Sequence, residues 1–259
     1  MAPIHGKGTR VLVNGRDLSG ILNMAGSSIG VDAADVTVFT SVAKDYQAGM
    51  PDGTMKFGGF QQVDTDPTGV IPTEQERLAA ALGTKGVALV YPAGVDAAGS
   101  PGRACEYIQT TLDAESPVDG VMSLDIELQA TGGVSPVVSL APLAARTTTA
   151  PGSAVDSTIA GGTALGGMAY LEVTSAQVAG TTLVVKVQGS ADGSTGWADL
   201  ATFTTVNGAT TFQGSAEAKS WAAGAAGSTP RYLRASWTVT GAGPSFTFTV
   251  AAFRRLVAA

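Results

Sequence analysis

Acid–base and nucleophilic chemistry need a histidine, a reactive thiol or two carboxylates at a fixed separation, and this chain is poor in all three. Its single histidine is His5 and its single cysteine Cys105. A Ser-His-Asp or Cys-His arrangement would hang on His5 alone, and the pair cannot build a zinc site. A lone cysteine makes no intramolecular disulfide, and Cys105, beside Glu106 in a strand-like run, reads as a small buried apolar residue. Two carboxylate pairs do stand at strand spacing, Asp113 with Glu115 and Asp125 with Glu127. In a strand, residues i and i+2 share a face about 7 Å apart, inside the range of about 5–9.5 Å that glycosidases use. A solvated acidic strand face is the more economical reading. Repeated around a symmetric ring, that face becomes an acidic surface of large extent. The run from Gly189 to Gly196 spaces its glycines unlike a dinucleotide fingerprint and lacks the lysine of a phosphate loop. Asp192 with Ser194 lacks the further alternating ligands of a calcium loop. The residues therefore predict no catalysis, no metal and no cofactor.

The elements that carry these residues are strands. Of 259 residues 34 are glycine and only 14% are charged, against a usual glycine share of about 7%, and Val and Thr recur in short runs. Glycine weakens helix interiors while Val and Thr favour pleated backbone, so the fold class is mainly β. Residues 121–130 alternate cleanly, with Met122, Leu124, Ile126 and Leu128 on one face and Ser123, Asp125, Glu127 and Gln129 on the other. One face belongs to a core and the other to water. Arg10 to Val13, then Asn14-Gly15, then Arg16 to Leu22 reads as a hairpin, because Asn-Gly supplies the positive φ of a type I′ turn. Further strands are expected at 53–63, 87–91 and 104–112. One short helix is expected from Pro72 through Leu82, with Thr73 and Glu76 as a capping box and Gly83 as its stop.

Charge divides the chain. Residues 1–145 hold eight basic and sixteen acidic residues, a net of −8, and residues 146–259 hold seven and five, a net of +2; together they make the overall −6. Nucleic-acid binding through a basic patch is thereby disfavoured. Between the halves runs a stretch rich in Pro, Gly and Thr with Pro136, Pro142 and Pro151. The predicted organisation is a domain at 1–140, a linker at 141–154 and a second domain at 155–259. In that second domain Leu183, Val185 and Val187, then Leu233, Ala235, Trp237 and Val239, then Phe246, Phe248 and Val250 each alternate with other residues. Such strands without a helical stretch predict an Ig-like antiparallel sandwich. No apolar run approaches the roughly 20 residues that cross a bilayer, and the first thirty residues lack a basic start followed by an apolar run. The expectation is a soluble protein made in the cytoplasm, with no membrane partner.

Residues 30–52 hold Val36, Val38, Phe39, Tyr46 and Met50 without a clear period. A connection this long and this apolar is either one more strand on its own core or an arm that finds its partner on another subunit. Its end, Asp45-Tyr-Gln-Ala-Gly-Met-Pro-Asp-Gly-Thr-Met-Lys-Phe-Gly-Gly59, follows the order of features already described: short strand pair, long arm, then Tyr, small, Gly, apolar, x, Asp, Gly leading into a strand. Over residues 1 to about 135 this order resembles the major tail tube proteins of long, non-contractile phage tails, the siphoviruses.

The resemblance implies a β-sandwich or barrel-like core with one flanking helix and a long arm loop, assembled as stacked hexameric rings whose inner strands line a channel for DNA. It implies that the arm residues Val36, Val38, Phe39, Tyr46 and Met50 contact a neighbouring subunit or ring. It implies an appended C-terminal sandwich projecting outward, and partners that include the chain itself, a tape measure protein and the tail terminator and distal tail proteins. The location would be the virion tail, assembled in the cytoplasm of the bacterial host. A wall that lets a polyanion slide must avoid the counterion release that makes DNA stick, which favours Asp125 and Glu127 on the lumen side; the competing placement is the outer surface, where the same charges would only keep the tail soluble. The other function in view is a baseplate or capsid-surface adhesin or decoration protein gripping a cell-wall glycan. For that role Trp197 and Trp221, near turns, are the stacking candidates, Trp237 being placed among core residues.

Overall fold

In a computed structural model, the described residues are 8–35, 46–60, 74–95, 97–115, 122–157, 164–222 and 230–256. Strands form where alternation is clearest and turns where glycine takes a positive φ. In chain order they are β1 (Arg10–Val13), β2 (Leu22–Asp35) and β3 (Tyr46–Phe60); then, after helix α1 (Glu74–Ala80), β4 (Lys85–Tyr91), β5 (Pro101–Glu115), β6 (Ser123–Ala130), β7 (Ser135–Arg146), β8 (Ala150–Pro151) and β9 (Val155–Asp156). They continue as β10 (Ala164–Ser175), β11 (Thr182–Ser190), β12 (Ala198–Thr202), β13 (Val206–Asn207), β14 (Ser215–Trp221), β15 (Tyr232–Thr240) and β16 (Phe246–Leu256). The protein is mainly β, with two antiparallel sheets and one short helix among the described residues.

The strands gather into two compact units. The first comprises Met1–Gly20, Gly86–Ala104 and Ser135–Ala259; the second comprises Ile21–Lys85 and Cys105–Val134. In the first unit one sheet runs β14-β10-β16-β7-β5, with β4 joining β5 to β1, and a second sheet runs β12-β11-β15-β8. Alternation along β10 and β16 sends Leu171, Val173, Phe248 and Val250 toward Leu183, Val185, Val187, Leu233, Ala235 and Trp237 of the other sheet, in one apolar cluster. The opposite faces of the same strands, through Tyr170 and Ala251, pack with Leu12, Leu89 and Tyr91 of β1 and β4. β10 and β16 are thus buried on both faces, which is why Phe246, Phe248, Val250, Ala251 and Ala252 are all at or near zero exposure.

This double burial explains a departure from the expected organisation. β1 and β4 belong with the strands of residues 164–256 because they cover a face that a free two-sheet sandwich would leave wet. Residues 141–154, read as a linker from their Pro and Thr content, hold the end of β7 and all of β8. Pro142 sits at a register shift between β7 and β16, where a missing N–H is tolerated. Thr148 accepts the Trp237 indole N–H at 3.0 Å, Thr149 Oγ1 accepts the Val239 N–H at 3.0 Å, and the Arg146 guanidinium lies 4.4 Å from the Trp237 ring centroid.

The hairpin at Asn14-Gly15 forms as its sequence predicts, with φ of 50° and 80° and the Val13 and Arg16 N–H groups each bonded to the other's carbonyl. Its return arm is short, and β1 takes β4 as its main partner. In the second unit the strand order is β5-β6-β3-β2. Helix α1 buries Leu78 and stops at Gly83 (φ 72°), whose N–H donates to the Gln109 carbonyl at 3.0 Å. Thr73 of the expected capping box lies outside the described residues.

Candidate functional site

The site is built on the sheet of the second unit. Leu124, Ile126 and Leu128 of β6 are buried with Met55, Phe57, Cys105 and Tyr107. The Cys105 thiol lies 3.8 Å from the Met55 sulfur, and burial pushes it up to about 12, so it stays protonated and inert at neutral pH. Alternation then forces Ser123, Asp125, Glu127 and Gln129 onto the wet face.

Register brings more carboxylates to that face than the β6 sequence alone suggests. Asp113 of β5 stands directly opposite Asp125, Glu115 opposite Ser123, and Thr111 opposite Glu127. Opposed like charges destabilise a strand pair, so the Asp113/Asp125 pairing does nothing for the isolated fold. The described base among them is Lys56 of β3, paired with Glu127 at 3.0 Å with both side chains part-exposed; such pairs contribute at most about 1 kcal/mol. Gly58 faces Asp125, and a Cβ there would lie 3.0 Å from the Asp125 carboxylate and 3.2 Å from the Met24 methyl. Asp125 and Glu127, predicted as neighbours, are therefore joined by Asp113 and Glu115, and the signal that could have united the four was the common strand spacing of the two pairs.

The second feature is the edge of this sheet. β2 pairs with β3 on one side, and no described strand pairs with its other side. Residues 23–30 are all exposed, with Met24 at 55% and Ile29 at 51%. Charge, proline and bulges are the usual defences of a sheet edge; this strand has no Lys, Arg or Pro, its charges being Asp32 and Asp35, and its register against β3 shifts at Leu22/Met24 and Val31/Ala33. β3 leaves β6 at Thr54, yet β2 and β3 continue as a pair from Ile29 opposite Gly53 to Asp35 opposite Tyr46. What the residue types suggest as an aperiodic arm loop is in large part a two-stranded ribbon, and such a ribbon is marginal on its own. Tyr46 and Met50 lie in β3; Val36, Val38 and Phe39 lie outside the described residues.

The tryptophans have packing work. Trp237 is 8% exposed and meets Phe248 edge to face at 5.7 Å. Trp197 is half-buried, with the Arg234 guanidinium 4.0 Å from its ring centroid. Trp221 lies against Gly167, where a Cβ would come within 2.1 Å of the indole. The turn at Asp192 is closed on itself: its carboxylate accepts the Ser194 and Thr195 N–H groups at 2.9 and 2.8 Å and the Thr195 hydroxyl at 2.6 Å, which hold it below the usual carboxylate range. A groove of about 500 Å³ is lined in part by Thr204, Asn207, Phe212 and Glu217, and the Glu217 carboxylate there is occupied by Thr204 and Lys219. Among the described residues no group of three or more His, Cys, Asp or Glu gathers to hold a metal ion, and no helix is long and apolar enough to cross a membrane.

The chain matches no protein-family profile and no curated protein. Among solved structures it is similar to a chain of the native gene transfer agent virion, with 17% identity and a TM-score of 0.38 over 52% of this chain and 98% of the other. It is similar to the SPP1 tail tube protein, with 13% identity and a TM-score of 0.41 over 52% and 78%. It is also similar to SPP1 Dit, described as a hub of the adsorption apparatus in phages infecting Gram-positive hosts, with 11% identity and a TM-score of 0.35 over 96% and 99%. No residue role is carried across at these identities.

Proposed function

We propose that this chain is a structural virion protein, the tail tube subunit of a long, non-contractile phage tail, which polymerises as stacked rings around a conduit for DNA. The observation that carries the reading is the β2–β3 ribbon, which outruns its own sheet and presents a long pairing edge free of Lys, Arg and Pro. A monomer gains nothing from such an edge, whereas a polymer uses it for main-chain pairing with the next copy. Identical head-to-tail contacts close into rings when their rotation closes; six-fold symmetry comes from the family resemblance. The acidic face supports the conduit. With Asp125 and Glu127, and beside them Asp113 and Glu115, turned to the lumen, a passing polyanion meets a face on which four carboxylates outnumber Lys56, itself paired with Glu127, and gains little from counterion release.

In this reading Val36, Val38, Phe39, Tyr46 and Met50 make the contacts between subunits, and the sandwich strands of residues 155–259 face outward as an Ig-like decoration. The chain works without a catalytic step, in the virion tail, assembled in the bacterial cytoplasm and joined to a tape measure protein and to terminator and distal tail proteins. Negative-stain electron microscopy of the purified full chain, beside a deletion of residues 31–50, tests it. Hollow tubes or stacked rings from the full chain, lost in a deletion variant that keeps its far-ultraviolet β signal, are the expected result. Discrete particles from both would overturn the tube and favour an adhesin or decoration protein, in which Trp197 and Trp221 would next be tested for glycan stacking.

A further inference from the structure

Glu172, in β10 of the first unit, is a carboxyl group that the fold buries completely. It is 0% exposed. One oxygen, Oε2, accepts the N–H of Gly15 at the tip of the N-terminal hairpin. The other, Oε1, is buried with no hydrogen-bond partner. The turn is pressed against the same sheet by shape as well: a Cβ on Gly15 would lie 2.2 Å from the Ser215 nitrogen, and one on Gly214 would lie 2.4 Å from the Gly15 carbonyl oxygen. The attachment of residues 14–15 to β10 and β14 therefore centres on one ionisable side chain.

Among the described residues, its cross-strand neighbours bring no charge. Thr249 of β16 and Ala216 of β14 stand directly opposite Glu172, and the Thr249 hydroxyl donates to the Ala141 carbonyl at 2.8 Å. β4 contributes Tyr91, buried, whose phenol would repel a carboxylate if it ionised. The charged residues of β14, Glu217 and Lys219, stand opposite Leu171 and Ala169, on the other face, and pair with each other at 2.7 Å. In the hairpin, Arg16 follows Gly15, and Asp17 is paired with Arg10 at 2.8 Å. Burial holds the Glu172 carboxyl well above the usual carboxylate range, with the Gly15 and Asn14 amides pulling the other way.

We propose that Glu172 is an ionisable latch: as an uncharged acid it holds the Asn14-Gly15 turn on the sheet of the first unit, and its ionisation frees the N-terminal hairpin. The sign follows from proton linkage. An acid that binds its proton more tightly in the closed state than in the open one contributes fully below the ordinary glutamate range, about pH 4.3. That contribution drains away as pH rises toward the raised value, with the opening constant growing roughly tenfold per pH unit across that window. The latch is shut in acid and loosens toward alkali.

Hydrogen exchange of the full chain, corrected for the intrinsic pH dependence of amide exchange, reads this directly. Protection at Gly15, which donates to Glu172, and at Asn14, which donates to the Val87 carbonyl, is expected to fall with pH while amides of β11 keep theirs. In Glu172→Gln, which keeps a carbonyl acceptor for Gly15 but cannot ionise, protection of the hairpin is expected to be flat with pH. A Glu172→Gln profile that tracks the wild type, or a loss shared equally by β11, would overturn the latch. Should that variant fail to fold, carbon-13 NMR titration of the wild-type glutamate carboxyls decides: one carboxyl titrating well above the others is required, and all of them titrating in the ordinary range would overturn it. Neither readout depends on polymerisation, so the latch and the tube stand or fall separately.

Discussion

Single residues carry more of this fold than the composition suggests. Gly15 takes a φ of 80°, and a Cβ there would lie 2.2 Å from the Ser215 nitrogen. Gly15→Ala is expected to cost about 1–3 kcal/mol from the strained backbone alone, more with the clash, read as a lower denaturant midpoint at unchanged slope. Cys105 gives the opposite expectation. Its buried thiol, pushed up to about 12, should not react with a thiol reagent at pH 8 in the native chain and should titrate as one equivalent in denaturant; prompt native labelling would show that the core around Met55 opens. At this scale the sequence was legible where local rules act alone. The Asn14-Gly15 turn and the placing of Cys105 and Trp237 in a core follow from spacing and residue type. The burial of Glu172 is not legible in the sequence, because it depends on β1 and β4 covering that face of β10.

Among elements, β2 is the one whose sequence and setting disagree. An edge strand with exposed Met24 and Ile29 and no lysine is a liability in a monomer. Met24→Lys together with Ile29→Lys should therefore leave the monomer's melting curve nearly unchanged, within about 0.5 kcal/mol for surface positions, while sharply shortening any polymer seen by sedimentation or microscopy. Loss of both stability and assembly would mean that β2 completes its own core instead. The alternating elements, β6, β11, β15 and β16, are readable because half-buried strands print their faces on the sequence. The arm and the supposed linker are not, for a shared reason. Residues 29–35 and 46–53 are paired only with each other, so no core imposes an alternation on them. In β7 and β8 the prolines and threonines that signal a loop are accommodated at a register shift and by side-chain bonds to β15, which only tertiary structure reveals.

For the whole molecule the unequal charge is the informative quantity. Reversing Asp113, Glu115, Asp125 and Glu127 to lysine takes the formal net charge from −6 to +2 and turns the wet face of the second unit basic. The native chain should show no DNA retention in a mobility shift at physiological salt, whereas the reversed variant should bind, with an affinity that falls steeply as salt rises; equal behaviour of the two would remove the electrostatic account of the face. The path of the chain has a consequence of its own. β16 lies between β7 and β10, so the sheet of the first unit stays split until residues 246–256 exist. On the ribosome, residues 21–134 are complete long before that strand emerges, and β1, although it pairs with β4, waits for Tyr170 and Ala251 of the face it packs against. Distant pairings of this kind are closed late and slowly. The nascent chain thus finishes the unit that bears the sticky edge before the unit that contains β1, and the interval between the two is when crowded neighbours can mispair.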